Sequence, residues 1–349
     1  MSASSTPRRW LWRSRHASFR VDARLAAVTL VLAGLAMLAA LYAVTFGRIA
    51  IPFSEVLATL AGHGDGGMQQ QVVLNLRLPR VLVAIFAGAA LGVSGAVFQS
   101  VSRNTLGSPD VIGFTTGAAT GALAQIVLFG GGPIAVSLSA VLGGMLTAGL
   151  VYLLSVKHGA TGGYRLVLMG IGAGATLNAL NGLMLVRGDL DNAVAANLWL
   201  AGSLNARSWD HVFPVMSGCL LLIPAVGLVV ARLGLIEMGD DVARQLGVNV
   251  ERTRFAMVAC AVLLAGLATG AAGPIAFVAL AAPQLAIRLT GAGGVPVVSA
   301  AAMGAFLLAL ADLATQISGV DLVLPIGRVT GLVGGLYLLW LLTRSRRGQ

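Results

Sequence analysis

Charged residues are scarce in this sequence. Only 10% of its 349 residues are Asp, Glu, Lys or Arg, whereas a soluble globular protein carries about 25%. Since 57% of the residues are hydrophobic and the mean hydropathy is +0.88, the composition excludes a soluble fold and a disordered chain. Aromatic residues make up 6%, too few for the aromatic girdles of a membrane β-barrel. The composition therefore indicates an all-α integral membrane protein.

Several motifs that would indicate catalysis or cofactor binding are missing. The G-x-x-x-x-G-K-[ST] loop that holds ATP phosphates does not occur. All four histidines lie outside the long apolar segments, which argues against an intramembrane nucleophile–histidine pair or a histidine metal site. The two cysteines lie within apolar runs and are interpreted as small packing residues. We therefore expect no catalytic residue, no metal site and no cofactor on this chain.

Ten apolar segments are candidate membrane spans. A helix needs about 20 apolar residues to cross the ~30 Å hydrocarbon core. Gly273 and Pro274 interrupt the uncharged stretch 255–287, which we therefore divide into a span and a shorter helix. The candidate spans are Leu25–Phe46, Val81–Val101, Val111–Gly131, Ile134–Val156, Leu166–Val186, Val212–Ala231, Phe255–Ala272, Ile275–Leu289, Pro296–Ile317 and Val323–Thr343.

The basic residues indicate how these spans are oriented. With a cytoplasmic N-terminus, 17 of the 23 Arg and Lys residues fall on inner segments, as the positive-inside rule requires. The net charge of +10 is then explained by orientation, and no nucleic-acid partner is expected. We predict a cytoplasmic basic N-terminal segment 1–24, a ten-helix transmembrane domain 25–343 with a cytoplasmic loop 232–254, and a cytoplasmic tail 344–349.

Small residues recur at helical spacing within several predicted spans. Gly88 and Gly92 form one such pair, and Gly117 and Gly121 form another. A spacing of four places them on one helix face, where two helix backbones can pack closely in a membrane. The same smooth faces would also allow helices to slide during gating, and the pattern alone does not distinguish the two interpretations.

One carboxylate, Asp312, lies within a predicted span. An ionisable side chain at that depth is costly and marks a candidate functional position. A proton relay would need a further carboxylate or histidine within a span, and the sequence places none there. We therefore expect a structural role, in which Asp312 pairs with a helix end or with loop backbone.

The longest inner connection, 232–254, contains a pattern typical of a short helix. Asp240 and Asp241 suit a helix N-terminus, and Gly247 suits a C-terminal stop. Val242, Ala243 and Leu246 are expected to share one apolar face. Such a helix could dock into a groove of a cytoplasmic partner, or it could form part of a solvated loop resting on the membrane.

Two arginines stand on the predicted outer side, where basic residues are few. Arg77 and Arg80 flank Leu78 and Pro79 at the entry to the second span. Planar guanidinium groups suit contacts with acidic groups of an extracytoplasmic partner. On physical grounds, arginines that snorkel to the membrane interface are an equally good interpretation.

Taken together, these stretches resemble the FecCD family, the permease subunits of ABC importers for ferric siderophores, haem and cobalamin. The similarity extends over nearly the whole chain and favours ferric enterobactin-type permeases over cobalamin ones. The matching stretches are RLPRVLVAIFAGAALGVSGAVFQSVSRNTLGSPDVIGF (77–114), WLAGSL (199–204), GDDVARQLGV (239–248), GPIAFVALAAPQLAIRLTG (273–291) and LPIGRVTGLVGGLYLLWLL (324–342).

The resemblance implies a type II ABC importer permease in the plasma (inner) membrane, with ten helices per subunit. A second permease subunit, the same chain or a paralogue, would complete a central path. The resemblance also implies two cytoplasmic ABC ATPase subunits, which bind ATP–Mg, and an extracytoplasmic substrate-binding protein. By the same resemblance, the ATPase-coupling helix falls on 240–246, the binding-protein docking arginines on Arg77 and Arg80, and the cytoplasmic gate on Asn104 and Leu106.

The sequence departs from the family pattern at three positions. Thr105 replaces the usual proline between the gate residues, which predicts a less rigid gate backbone. Gln316 stands where a further docking arginine is common, and Arg328 is a candidate substitute for it. Gln284 replaces the histidine of the usual Ala-Pro-His.

The function that we predict is transport by alternating access, driven by partner ATPases, with a ferric siderophore as the substrate. The chain is then not an enzyme itself. A cobalamin or haem permease is an alternative within the family. A proton-coupled secondary transporter is the alternative from another class, but it needs an exchangeable carboxylate on the path, and Asp312 is the one candidate.

Overall fold

The computed structural model describes residues 9–13, 18–47, 49–64, 66–157, 160–161, 163–317 and 325–345. Parts of the predicted N-terminal segment, the start of the tenth predicted span and residues 346–349 of the predicted tail lie outside the described residues. The α-helices are α1 (Ala23–Thr45), α2 (Phe53–Leu60), α3 (Met68–Val72), α4 (Leu78–Ser102), α5 (Phe114–Val127), α6 (Pro133–Ser155), α7 (Gly163–Arg187), α8 (Leu190–Leu200), α9 (Trp209–Glu237), α10 (Asp240–Gln245), α11 (Val250–Ala272), α12 (Val278–Thr290), α13 (Val297–Ile317) and α14 (Ile326–Ser345).

Four short strands are the exception to the predicted all-helical architecture. Strands β1 (Arg9–Arg13) and β2 (Ser18–Asp22) form one antiparallel hairpin ahead of α1. Strands β3 (Val156–Lys157) and β4 (Ala160–Thr161) form a second, two residues long on each side, between α6 and α7. The strands are short and contribute no residue to the main buried core, which lies in the helices and the connections between them. The fold is therefore that of a helical membrane protein.

Each of the ten predicted spans coincides with a helix, but the helices differ in length. Among the described residues, seven apolar elements are long enough to cross a membrane: α1, α3–α4, α6, α7, α9, α11 and α13. Helices α5 and α12 have 14 and 13 residues, fewer than the about 20 that a straight crossing needs. The chain is therefore a multi-pass membrane protein, and the count of ten crossings stays a prediction.

The break predicted at Gly273 and Pro274 is confirmed. Helix α11 ends at Ala272, and Gly273 adopts a φ of +76°, a conformation that favours glycine. Phe277 also has a positive φ, of +75°, immediately before α12 begins. The two helices are thus separate elements, and α12 is the shorter helix that the sequence indicated.

Two helices lie in connections between the predicted spans and were not anticipated. Helix α8 lies between the fifth and sixth predicted spans, and the Asp189 side chain caps it by accepting a hydrogen bond of 2.8 Å from the Asn192 amide. Helix α3 continues through a π-helical turn, Val73–Arg77, into α4. This wider turn lies where Pro79 has no amide proton to donate to a carbonyl four residues earlier.

Helix α4 occupies the centre of the bundle, where it packs against α9, α11, α12 and α13. Its glycines lie directly on neighbouring backbones. A Cβ atom added at Gly92 would lie 2.1 Å from the Ala300 carbonyl oxygen of α13, and one added at Gly95 would lie 1.6 Å from that of Ala279 in α12. The Ser94 hydroxyl donates to the Ala261 carbonyl of α11 at 2.8 Å. The close-packing interpretation of the glycine pattern therefore holds for α4.

The glycine contacts of α4 lead to a stability prediction. Gly95→Ala should lower the free energy of unfolding by about 3 kcal/mol, at the upper end of the range for an overpacked core, because α12 must move away. The measurement is SDS-induced unfolding of the protein in mixed micelles. Gly34→Ala on α1 is the matched control, since a Cβ atom there meets nothing within 4 Å. Equal unfolding curves for the two variants would contradict the packing argument.

Candidate functional site

At the predicted outer end of the bundle, Asp312 pairs with Arg80. Asp312 on α13 is 1% exposed, and its carboxylate accepts hydrogen bonds from Arg80 Nε at 3.0 Å and from Arg80 Nη2 at 2.7 Å. The Gln316 amide, one turn further along α13, donates to the same carboxylate at 2.8 Å. A buried carboxylate requires such partners. The expectation that Asp312 pairs with a helix end or with loop backbone is wrong, because its partners are side chains.

Arg77 is also bonded within the chain. Its Nη1 donates to the carbonyls of Val44 at 2.8 Å and Thr45 at 3.1 Å, and its Nη2 donates to Ile49. The last carbonyls of a helix lack partners within the helix, so the Arg77 guanidinium caps α1 by satisfying two of them. Gly47 lies against Arg77 Nη2, which an added Cβ atom would approach to 2.7 Å.

The structure brings the predicted outer residues together around one cavity. Arg77, Arg80 and Gln316 line a cavity of about 530 Å³, together with apolar side chains from α1 and the outer connections. Arg328 is not among its lining residues in the described part of the chain. The two arginines thus share a cavity wall, where each is held by intramolecular bonds.

At the predicted cytoplasmic end, the short helix that the sequence indicated is confirmed as α10. Gly239 precedes it with a φ of +128°, and Gly247 follows it with a φ of +79°. The expected single apolar face is wrong: Ala243 is fully buried, whereas Val242 and Leu246 are 43% and 60% exposed. Residues four apart lie on one side of a helix, so Val242 and Leu246 face away from the protein while Ala243 anchors the helix.

The two acidic residues of α10 have different environments. Asp241 is exposed and pairs with Arg244 at 3.0 Å. Asp240 accepts two hydrogen bonds from Arg254 Nη2, at 3.0 and 3.1 Å, and another from Arg103. Partial burial raises the pKa of the Asp240 carboxyl, but the bonds and charges of the two arginines more than offset this and hold the pKa below its usual value of 3.8. Asp240 is therefore ionised at neutral pH.

The predicted gate residues lie directly after α4. The Asn104 side chain accepts a hydrogen bond of 3.0 Å from the Leu106 amide, which forms a local turn in the absence of proline at position 105. Leu106 is half exposed. We refer to Arg103, Asn104, Thr105 and Leu106 as the gate segment.

Two glutamines that were not predicted as site residues contact this segment. Gln284 on α12 donates to Gln99 Oε1 at 2.7 Å and to the Thr105 carbonyl at 3.3 Å. Gln99 in turn donates to the Leu280 carbonyl at 3.0 Å. The unusual Gln284 was the signal in the sequence, because a polar residue beside Pro283 in an apolar helix needs a partner. Within the described residues, no group of three His, Cys, Asp or Glu side chains could hold a metal ion.

Comparison with known proteins finds similarity along almost the whole chain. Residues 34–344 match the model of the FecCD transport family. The chain is 45% identical to the ferric enterobactin transport system permease protein FepG of Escherichia coli (strain K12), with 94% of this chain and 98% of that protein covered. It is 33% identical to the hemin transport system permease protein HmuU of Yersinia pestis, with 89% and 94% covered.

A solved structure has the same fold. It is an inward-facing conformation of a metal-chelate type ABC transporter, to which this chain is similar with a TM-score of 0.80 and 27% sequence identity. The similarity covers 91% of this chain and 99% of the other.

The ion pair between α4 and α13 leads to a prediction for paired substitutions. Asp312→Ala should lower the free energy of unfolding by about 3 kcal/mol, because the Arg80 guanidinium is left without its counter-charge in a low-dielectric site. Arg80→Met combined with Asp312→Leu should recover more than half of that loss. The measurement is SDS-induced unfolding of each variant.

The control for this prediction is the exposed pair on α10. Asp241→Ala should change the free energy of unfolding by less than about 1 kcal/mol, since exposed ion pairs stabilise little. A double variant no more stable than Asp312→Ala alone would mean that the two side chains do not act as a pair.

Proposed function

The chain belongs to the FecCD transport family, and we propose that it is the membrane-spanning permease subunit of an ABC importer for ferric siderophores. The similarity of 45% over 94% of the chain to a ferric enterobactin permease is the observation that carries the proposal. The hemin permease is less similar, at 33% identity, and haem is therefore the second candidate substrate. Membership of this family supports a transport role rather than an enzymatic one.

The coupling role is proposed for the exposed side of α10. Val242 and Leu246 present apolar side chains to the exterior, and Met238 at the end of α9 is 71% exposed beside them. Ala243 is buried with Ile236, so that the helix is fixed from behind. An apolar patch on a firmly held helix suits docking into a groove of a cytoplasmic ATPase subunit. Hydrolysis of ATP–Mg would then occur on that partner.

The docking role is proposed for the outer cavity. Arg80 is neutralised by Asp312, whereas Arg77 is bonded to neutral carbonyls and keeps an uncompensated positive charge. A carboxylate from an extracytoplasmic binding protein would find two guanidinium groups on one wall. Arg77 is thus the stronger candidate, and the charge of Arg80 serves mainly the contact between α4 and α13.

Transport would proceed between two access states around a path shared with a second permease subunit, either this chain or a paralogue. Docking of the loaded binding protein and closure of two ATPases would open the gate segment, including Asn104 and Leu106, towards the cytoplasm. We place the protein in the plasma (inner) membrane with both termini in the cytoplasm. The alternative of a proton-coupled secondary transporter is not favoured, because Asp312 is held by Arg80 and Gln316.

Uptake by the reconstituted transporter tests the proposed function. The permease, its ATPase subunits and its binding protein are placed in liposomes and supplied with ⁵⁵Fe-labelled ferric enterobactin. We expect accumulation of the labelled iron that requires ATP on the side of the membrane where the ATPase subunits lie. A protonophore should not affect this accumulation. Uptake that continues without ATP and stops when the proton gradient is dissipated would overturn the proposal in favour of a secondary transporter. Uptake of labelled haem in preference to ferric enterobactin would identify haem as the substrate instead.

The exposed side of α10 gives a prediction for coupling. Leu246→Asp should reduce ATP-dependent uptake by at least about tenfold, because a charge in a desolvated docking groove is unpaired. The permease should still insert and unfold normally, since Leu246 lies outside the core. Leu246→Met is the matched control and should transport like the wild type. Wild-type uptake by the Asp variant would remove Leu246 from the coupling surface.

A further inference from the structure

Asp240 connects the helix proposed for coupling with the segment proposed as the gate. Its carboxylate accepts hydrogen bonds from Arg254 at the start of α11 and from Arg103, the first residue of the gate segment. We propose that the Asp240–Arg103 ion pair is the mechanical link through which movement of α10 displaces the gate segment. This inference rests on the proposed function, and it gives Asp240 and Arg103 a shared positioning role that the family resemblance does not imply.

Helix α10 is part of a unit that can move as one body. Ala243 packs with Ile236 at the end of α9 and with Val248 and Val250 at the start of α11, in a small apolar cluster separate from the main core. Arg254, whose side chain is 6% exposed, holds Asp240 with two hydrogen bonds and also bonds Glu251. The carboxylate of Asp240 is therefore fixed to the unit formed by α10 and its flanking helix ends.

Arg103 attaches the gate segment to this unit. Its guanidinium donates to Asp240 and also to the Ile236 carbonyl. Both of the hydrogen bonds that the described structure contains between the gate segment and the unit thus come from one side chain. A movement of the whole unit reaches Arg103 at both contacts, and the next residues along the chain are Asn104, Thr105 and Leu106.

The backbone at Arg103 ends α4 and directs the gate segment away from it. Arg103 has a φ of +49°, in the left-handed region, which is disfavoured for a residue other than glycine. Backbone hydrogen bonds typical of a helix C-terminus hold this conformation: the Arg103 amide donates to the Ser100 carbonyl and the Asn104 amide donates to the Gln99 carbonyl, each at 3.1 Å. The guanidinium adds its contacts with Asp240 and Ile236 at this turn, so a displacement of Asp240 acts at the junction between α4 and the gate segment.

The opposite side of the gate segment is attached to a different helix. Gln284 on α12 donates to the Thr105 carbonyl at 3.3 Å and to Gln99 at 2.7 Å. The gate segment is thus held between α12 and the α10 unit. On one side the contact is a long hydrogen bond from the Gln284 side-chain amide, and on the other side it is an ion pair. Since charge-assisted hydrogen bonds are about twice as strong as neutral ones, displacement of α10 would draw the segment with it and release the contact with Gln284.

Two variants, one on α10 and one in the gate segment, test the link. Asp240→Asn and Arg103→Asn are made separately and together in the reconstituted transporter with its ATPase and binding protein. Asparagine tolerates the left-handed backbone conformation, so Arg103→Asn removes the guanidinium without adding strain. We expect uptake per ATP hydrolysed to fall about tenfold in each variant, within the range of energetic coupling between sites. The double variant should be no worse than either single one, because both remove the same contact.

Asp191→Asn is the control, since it removes an exposed carboxylate on α8, outside both the helix proposed for coupling and the gate segment. It should transport like the wild type. A second readout follows the gate directly: in a chain with Cys219→Ala and Cys260→Ala, Leu106→Cys is labelled by a water-soluble thiol reagent with and without ATP. The ATP-dependent change in labelling rate should be lost with Asp240→Asn and Arg103→Asn and retained with Asp191→Asn.

Three outcomes contradict the link. Wild-type coupling and labelling in Asp240→Asn or Arg103→Asn would overturn it, as would additive losses in the double variant. If the wild type itself shows no ATP-dependent uptake, the proposed function fails together with the inference. If the wild type transports and the single variants also couple normally, the link alone is wrong and the proposed function stands.

Discussion

Helix α4 lies against α12 and α13 so closely that backbone meets backbone, and the arrangement of both ends of the protein depends on this contact. Gly92 and Gly95 leave no room for a side chain between the helices. Close approach without side chains suits a lipid environment, in which association of helices relies on van der Waals contact rather than on exclusion of water. One central helix then carries Arg80 near its first residue and Gln99 near its last.

Charged groups in the described part of this bundle are few and are grouped where helices must be held together. Arg80 and Asp312 join α4 to α13, and Gln316 completes the set of donors around the carboxylate. At the other end, Asp240 lies between Arg103 and Arg254. The first pair is enclosed and stabilises a fixed contact. The second is partly exposed, as the proposed movement of α10 would require.

These two positions give a physical picture of a transporter that responds at one end to events at the other. The outer cavity is lined by Arg77 and Arg80 beside the start of α4, and the gate segment follows its last residue. The α10 unit touches the gate segment through Arg103 rather than through the core. A partner acting on α10 would thus move the gate segment with little disturbance of the tightly packed α4.

The sequence by itself determined the class of protein, the positions of the apolar helices, the break at Gly273 and the short helix after Gly239, because hydrophobic runs and glycine or proline conformations are local properties. The tertiary structure alone decided which side chains meet. Arg80 lies 232 residues from Asp312, and Arg103 lies 137 residues from Asp240, distances over which neither residue carries a local signal for the other. The orientation of Ala243 likewise depends on Ile236 behind it. The pairing of buried charges and the burial of one helix face are set by packing between distant segments, which a pattern of residue types along the chain does not encode.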